Sequence, residues 1–275
     1  MKKTIIKSCY LLAVFILALF IISAVMNQGN TDMTMEMGQA TFPVIHMYVG
    51  GREVNSLYGY KDTMECSYQR ECITPLGEGR KVRIRVDKYD QEIEDMVFEV
   101  RSIDGERLVE STKITMYEET QDNISAEIQI KDLSDADTEY MLVLSLKNEW
   151  DQTIRYYTRI IQTEDYFEKE KLDYVMDFHE RTFDKEAARE LTKYLESNAE
   201  GDNTTFSRVT IHSSFHQVTW GDLQVNKLTE PKVTIKEMGS QTGSLELDYV
   251  VSLKDGRNED LYTVKEFYRV RYTPV

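Results

Sequence analysis

The sequence predicts a mainly β protein behind an N-terminal transmembrane helix: an Ig-like antiparallel β-sandwich, one or two helices, then a second antiparallel β region. Three observations predict it. An uncharged apolar run from Ser8 to Met26 opens the chain. Between residues 42 and 163 apolar and polar residues alternate with period two, the signature of half-buried strands. Residues 165–199 then switch to near-helical spacing before the alternation returns. The organisation expected is a cytoplasmic tip and signal anchor over 1–26, a flexible tether over 27–41, a sandwich over 42–163, a helical connector over 164–201 and a β region over 202–275.

The anchor comes first. At 1.5 Å per residue the uncharged run reaches roughly 30 Å, the thickness of a bilayer's hydrocarbon core. Lys2, Lys3 and Lys7 precede it, and the next charges are Asp32 and Glu36, with no Lys or Arg before Arg52. That asymmetry puts the N-terminus in the cytoplasm and the rest outside, with the lipid bilayer as the partner of residues 8–26. A cleaved signal peptide is the competing reading. Its apolar region is shorter, about 7–15 residues, and Ile22-Ser23-Ala24 fits its small-x-small cleavage site poorly. The formal charge of −15 repels nucleic acid, so no nucleic-acid partner is expected.

Residues 27–41, NQGNTDMTMEMGQAT, are polar and read as the tether. In KVRIRVD, Val82, Ile84 and Val86 face one way and Lys81, Arg83, Arg85 and Asp87 the other. ISAEIQIK alternates likewise, with Ile124, Ala126, Ile128 and Ile130 together. Asp104-Gly105 has tight-turn chemistry between VFEVRSI and ERLVEST. Residues 139–147 and 153–161 form a further hairpin. From FPVIHMYV to RYYTRII this gives seven or eight strands, the number of a β-sandwich.

Cys66 and Cys72 fall inside this region, in CSYQREC. In an exported chain they are a candidate disulfide closing a short loop, which would contribute roughly 2 kcal/mol. Their spacing is not a usual zinc spacing and no second pair completes a site, so bonded or free the pair reads as structural.

The stretch DLSDADTEYMLVLSL resembles the corner between the fifth and sixth strands of immunoglobulin-like and fibronectin type III-like domains. The resemblance implies that Leu133 precedes the turn and that Tyr140 opens the next strand with its hydroxyl bonded back to the turn. It implies architecture, not activity. Asp132, Asp135, Asp137 and Glu139 lack the spacing of a calcium-binding helix-loop-helix, so a solvated acidic turn is expected there.

In the connector, Leu172, Val175, Met176 and Phe178, then Phe183, Ala187, Leu191, Tyr194 and Leu195 share helical faces. Asp184 is placed to cap a second helix and Gly201 follows its end. His179-Glu180 begins a zinc-protease motif, but Phe183 stands where the second histidine belongs, so His179 reads as an ordinary helix residue.

The sharpest chemical question is IHSSFHQVTW. As part of a strand FSRVTIHSSFHQVTW, it puts His212 and His216 on one polar face about 13 Å apart, too far to share a metal. With Trp220 they form a speculative ligand surface. Trp220 reads either as a sugar-stacking ring or as an edge plug. No catalytic residue, cofactor site or metal site is expected. The later strands are PKVTIKEM, SLELDYVVSL and LYTVKEFYRVRY, and the chain stops in or just after the last, which leaves open whether that region is complete.

The segment NAEGDNTTFSRVTIHSSFHQVTWGDL, together with MNQGNTDMTMEMGQATFP, resembles uncharacterised membrane-anchored exported proteins of clostridial-type bacteria. That resemblance implies a Gram-positive-type envelope and carries no activity. The expected role is non-catalytic binding or scaffolding at the cell envelope, with an envelope or membrane protein as partner. The alternatives are a sensor or regulatory subunit signalling through its anchor, and an exported glycan-binding or hydrolytic protein.

Overall fold

The computed structural model describes residues 2–26, 42–133, 137–162, 166–255 and 258–273. It divides into an N-terminal unit and a compact unit from residue 40 onward. In the first, helix α1 runs Lys2–Met26. It contains neither Gly nor Pro. Its stretch Ile6–Val25 has a mean hydropathy of 2.7 and buries none of its surface in protein, so it is long and apolar enough to cross a membrane.

The second unit is built on two five-stranded sheets. One holds, in spatial order, β2 (Arg52–Leu57), β1 (Val44–Val49), β4 (Lys81–Asp87), β8 (Asn123–Gln129) and β7 (Tyr117–Glu119). The other holds β3 (Ile73–Leu76), β10 (Thr153–Gln162), β9 (Glu139–Asn148), β5 (Ile93–Ser102) and β6 (Leu108–Lys113). Along the chain, β4, β5, β7, β8, β9 and β10 take the places of strands B, C, D, E, F and G of the immunoglobulin fold, and β6 takes the extra C′ place. Every pairing is antiparallel except β3 with β10. The sandwich is therefore Ig-like, with ten strands where the pattern suggested seven or eight. Short β2, β3 and β7 carry too few alternating positions to announce themselves.

Alternation explains the faces. Val82, Ile84 and Val86 of β4 are buried against Leu142, Leu144, Tyr156 and Ile160 of the opposite sheet, while Lys81 and Arg83 stay exposed. Leu133 and Tyr140 are both buried at the corner before β9.

The connector supplies α2 (Glu168–Thr182) and a 3-10 segment, Ala187–Tyr194, whose entry is capped by Asp184 accepting from the backbone N–H of Glu186 and Ala187. A third sheet follows, made of β11 (Val225–Lys227), β12 (Lys232–Met238), β13 (Thr242–Asp255) and β14 (Asn258–Arg271). β14 pairs with the full length of β13, and β12 and β11 pair with β13 in turn. This sheet has no separate core. Val233, Ile235, Leu245 and Leu247, with Leu172 and Val175 of α2, belong to the same buried cluster as the sandwich.

Two buried polar side chains join the parts. Asn55 donates to the carbonyl of Ile73 and to Thr74 Oγ1, and its Oδ1 accepts from the N–H of Ile235, so one residue ties β2, β3 and β12. Lys171, at the start of α2, donates to the carbonyls of Tyr166, Gly239 and Ser240 and so docks the helix on the β12–β13 turn.

The expected strand over 206–220 is not formed. The segment is a set of turns ending in a four-residue helix, α3 (Phe215–Val218). Its hydroxyls explain why: Ser213 Oγ accepts from the N–H of Thr210, and Ser214 Oγ accepts from the N–H of Gln217 as a helix cap. Such local bonds compete with a strand ladder. Gly201 packs directly on the His212 carbonyl, where a Cβ would lie within 2.2 Å of that oxygen.

Candidate functional site

The three residues of the expected ligand surface are not on one strand face. His212 Nδ1 faces the Asn198 amide at 3.0 Å and its Nε2 lies 3.7 Å from Glu200. His216 is exposed, with Asp222 3.7 Å away. Trp220 is half-buried, packed by Phe183 at 5.4 Å and Phe206 at 6.4 Å between ring centres. Each histidine thus has its own carboxylate neighbour, and Trp220 plugs the junction between the connector and the turns. Among the described residues, no three His, Cys, Asp or Glu side chains gather as a metal site. Of the acidic corner, Glu139 pairs with Arg159 at 3.0 Å and Asp137 accepts from the Tyr166 hydroxyl, while Asp135 lies outside the described residues.

Cys66 and Cys72 are free thiols, not the bridged pair that their spacing allows. Cys66 packs with Met141, Val143 and Tyr157 on the outer face of the second sheet. Cys72 belongs to the main core and lies 3.4 Å from Thr158 Oγ1. The two occupy opposite faces of the sheet. Burial pushes both thiols above their ordinary range, which disfavours the reactive thiolate.

His179 is far from an ordinary helix residue. It is fully buried, and its Nδ1 sits 3.0 Å from Glu266 Oε2 of β14. Glu266 also accepts from the hydroxyls of Tyr249 at 2.6 Å and Tyr268 at 2.8 Å. Burial pushes the Glu266 carboxyl up, but His179, Tyr249 and Tyr268 outweigh it and hold the group below the usual carboxylate range. Both tyrosines are raised, first by burial and then by the Glu266 charge, so they remain donors. The cluster fastens α2 to the third sheet. Its helical half was visible at His179-Glu180, but Glu266 lies 87 positions away and no local pattern joins them.

An open concavity lies elsewhere, on the outer face of the second sheet. Register builds its floor: Glu99, Val143 and Tyr157 stand in one row across β5, β9 and β10, and Ser145 and Arg155 in the next. Two loop segments, around Met64 and Gly105, form the rims of a shallow cavity of about 490 Å³. The rims touch, because Gly105 (φ +82°) packs against Cys66 where a Cβ would lie 2.9 Å from Cys66 Cβ. Charge in the cavity is mixed. Arg101 Nε donates to Glu99 at 2.8 Å and its Nη1 to the Gly105 carbonyl at 3.1 Å, and Asp104 is held below the usual carboxylate range by the Ser102 hydroxyl. The Arg155 side chain donates to the Lys61 carbonyl at 3.4 Å. A broad opening, paired charges and an aromatic floor suit a polar segment of another molecule more than an enclosed small ligand.

No known family model matches the chain, and no curated protein matches it by sequence. Among solved structures it is similar to an engineered protein (10% identity, TM-score 0.27) over 46% of this chain and 21% of that one. It is similar to the PmoD soluble domain from Methylocystis sp. (10% identity, TM-score 0.25) over 49% of this chain and 99% of that one. It is also similar to Spo0M, the sporulation control protein from Bacillus subtilis (8% identity, TM-score 0.26), over 86% of this chain and 91% of that one. Likenesses this distant carry no statement about activity.

Proposed function

We propose that the protein is a non-catalytic binding or scaffold protein of the cell envelope. Helix α1 anchors it in the membrane, and the unit from residue 40 onward lies outside the cytoplasm. The observation that carries this reading is the open, mixed-charge cavity on the outer face of the β5–β9–β10 sheet. Lys2, Lys3 and Lys7 at the N-terminal end of α1, with no Lys or Arg between its apolar stretch and Arg52, support the orientation. The side chains that could do chemistry support a non-catalytic role: His179, Glu266 and Lys171 join elements, and both ectodomain cysteines are buried in packing. The partner is an envelope or membrane protein that presents a polar segment to Arg155, Glu65 and Glu106.

The test places a photo-cross-linking residue at Ser145 in the full-length protein in its own membranes, with Lys81, exposed on the other sheet, as the control position. The expected result is a discrete cross-linked species from position 145 alone, weakened by Arg155→Glu. Equal cross-linking from both positions, or none from position 145, would sink the reading.

A further inference from the structure

The third sheet ends in an unusually long open edge. β14 has 14 residues and pairs only with β13 among the described residues. The other edge strands, β2, β3, β6, β7, β11 and β12, run three to seven residues. Soluble proteins keep free edges short because an unpaired row of N–H and C=O groups is a template for another strand. A long one is either defended or used. β14 lacks two of the usual defences, although it is charged: it contains no proline, and the register with β13 is continuous from Thr242↔Arg271 to Asp255↔Asn258, with no bulge.

We propose that β14 pairs antiparallel with β14 of a second copy of this chain, joining two third sheets into one eight-stranded sheet. The strand's own polarity argues for this occupant. Apart from Glu266, which His179, Tyr249 and Tyr268 engage on the α2 side, its acidic residues Glu259 and Asp260 lie at the beginning and its basic residues Lys265, Arg269 and Arg271 lie later, so an antiparallel copy meets opposite charges. A two-fold axis through Val264 keeps both copies' faces aligned, as the period of two requires. It sets Glu259 opposite the second copy's Arg269, and Leu261 opposite its Phe267. Leu261 and Phe267 are the large apolar side chains left out on that face, 66% and 62% exposed, and neither has an apolar neighbour across β13, where Ser252 and Glu246 stand. The pairing gives each one an apolar cross-strand partner. Two like-charge approaches oppose it. Lys265 meets the second copy's Lys265 near the axis, each already having Glu246 at 2.9 Å and Asp248 at 3.4 Å on its own β13. On the other face Asp260 lies diagonal to the second copy's Glu266, which His179, Tyr249 and Tyr268 already engage.

The register makes the test specific. Full-length protein with Cys9→Ser is prepared as two differently tagged variants, Leu261→Cys and Phe267→Cys, co-expressed or separately, and oxidised in detergent. Both changes are at exposed positions, so folding is not at stake. In the proposed register the two 261 positions are about 20 Å apart, so neither variant links to itself. The expected result is a mixed disulfide dimer on co-expression and none from either variant alone. Arg269→Glu is expected to weaken the dimer by about tenfold, with recovery on adding Glu259→Arg. Links within either variant alone, or no mixed dimer although both thiols react with maleimide, would overturn the proposal. A link from position 267 to a different protein would overturn it too, showing the edge takes another chain.

Discussion

Asn55→Leu is expected to destabilise the unit from residue 40 onward by about 3–5 kcal/mol. Asn55 is 1% exposed, at φ +50°, and it is the extra residue of a bulge: His46 pairs with Ser56 and Met47 with Val54. Asparagine tolerates this left-handed conformation better than a branched apolar residue does, a difference of roughly 1 kcal/mol. Leucine would also leave the Ile73 carbonyl and the Ile235 N–H without the amide that now serves them, each costing about 1–3 kcal/mol when buried. Asn55→Gly separates the two contributions, since glycine accepts the backbone but makes neither bond. Chemical denaturation is expected to rank wild type above glycine and glycine above leucine. Equal stability of glycine and wild type would show that the bridging bonds contribute nothing.

The second large effect belongs to the buried cluster under α2. Glu266→Ala removes the acceptor for His179, Tyr249 and Tyr268 at once, and breaking such a buried arrangement typically costs about 3–5 kcal/mol. It also has a pH signature. Because the native Glu266 pKa is lowered, its contribution is complete above the unfolded value near 4.3 and is lost as pH falls from there through the native value. Urea midpoints of the wild type should therefore fall as pH drops below about 4.3, and those of Glu266→Gln should start lower and fall less. Parallel pH profiles for the two proteins would contradict the assignment of that acid sensitivity to Glu266.

The sandwich was legible because its strands are two-sided. KVRIRVD reads directly as β4, and the helical spacing of Leu172 and Val175 reads as α2. The stretch 206–220 was not legible, because its alternating apolar residues mimic a strand while Ser213 and Ser214 satisfy the backbone locally. The outer-face cavity was half legible: parity alone puts Glu99, Val143, Ser145 and Arg155 on one side, but nothing local says that the loops around Met64 and Gly105 leave that side open. The clusters at Asn55 and Glu266 were hidden for a different reason. They join residues up to 180 positions apart, and one chain carries no pairwise signal at that range.

The central claim is that a folded binding unit stands outside the cytoplasm on a membrane anchor. Its most direct test is labelling of intact cells with a membrane-impermeant maleimide, using full-length protein that carries Cys9→Ser and Met116→Cys. Met116 is 83% exposed, while Cys66 and Cys72 are buried and stay silent. The account predicts full labelling of Met116→Cys from outside and none without that cysteine. Labelling that appears only after the cells are opened would place the folded unit in the cytoplasm and contradict the account.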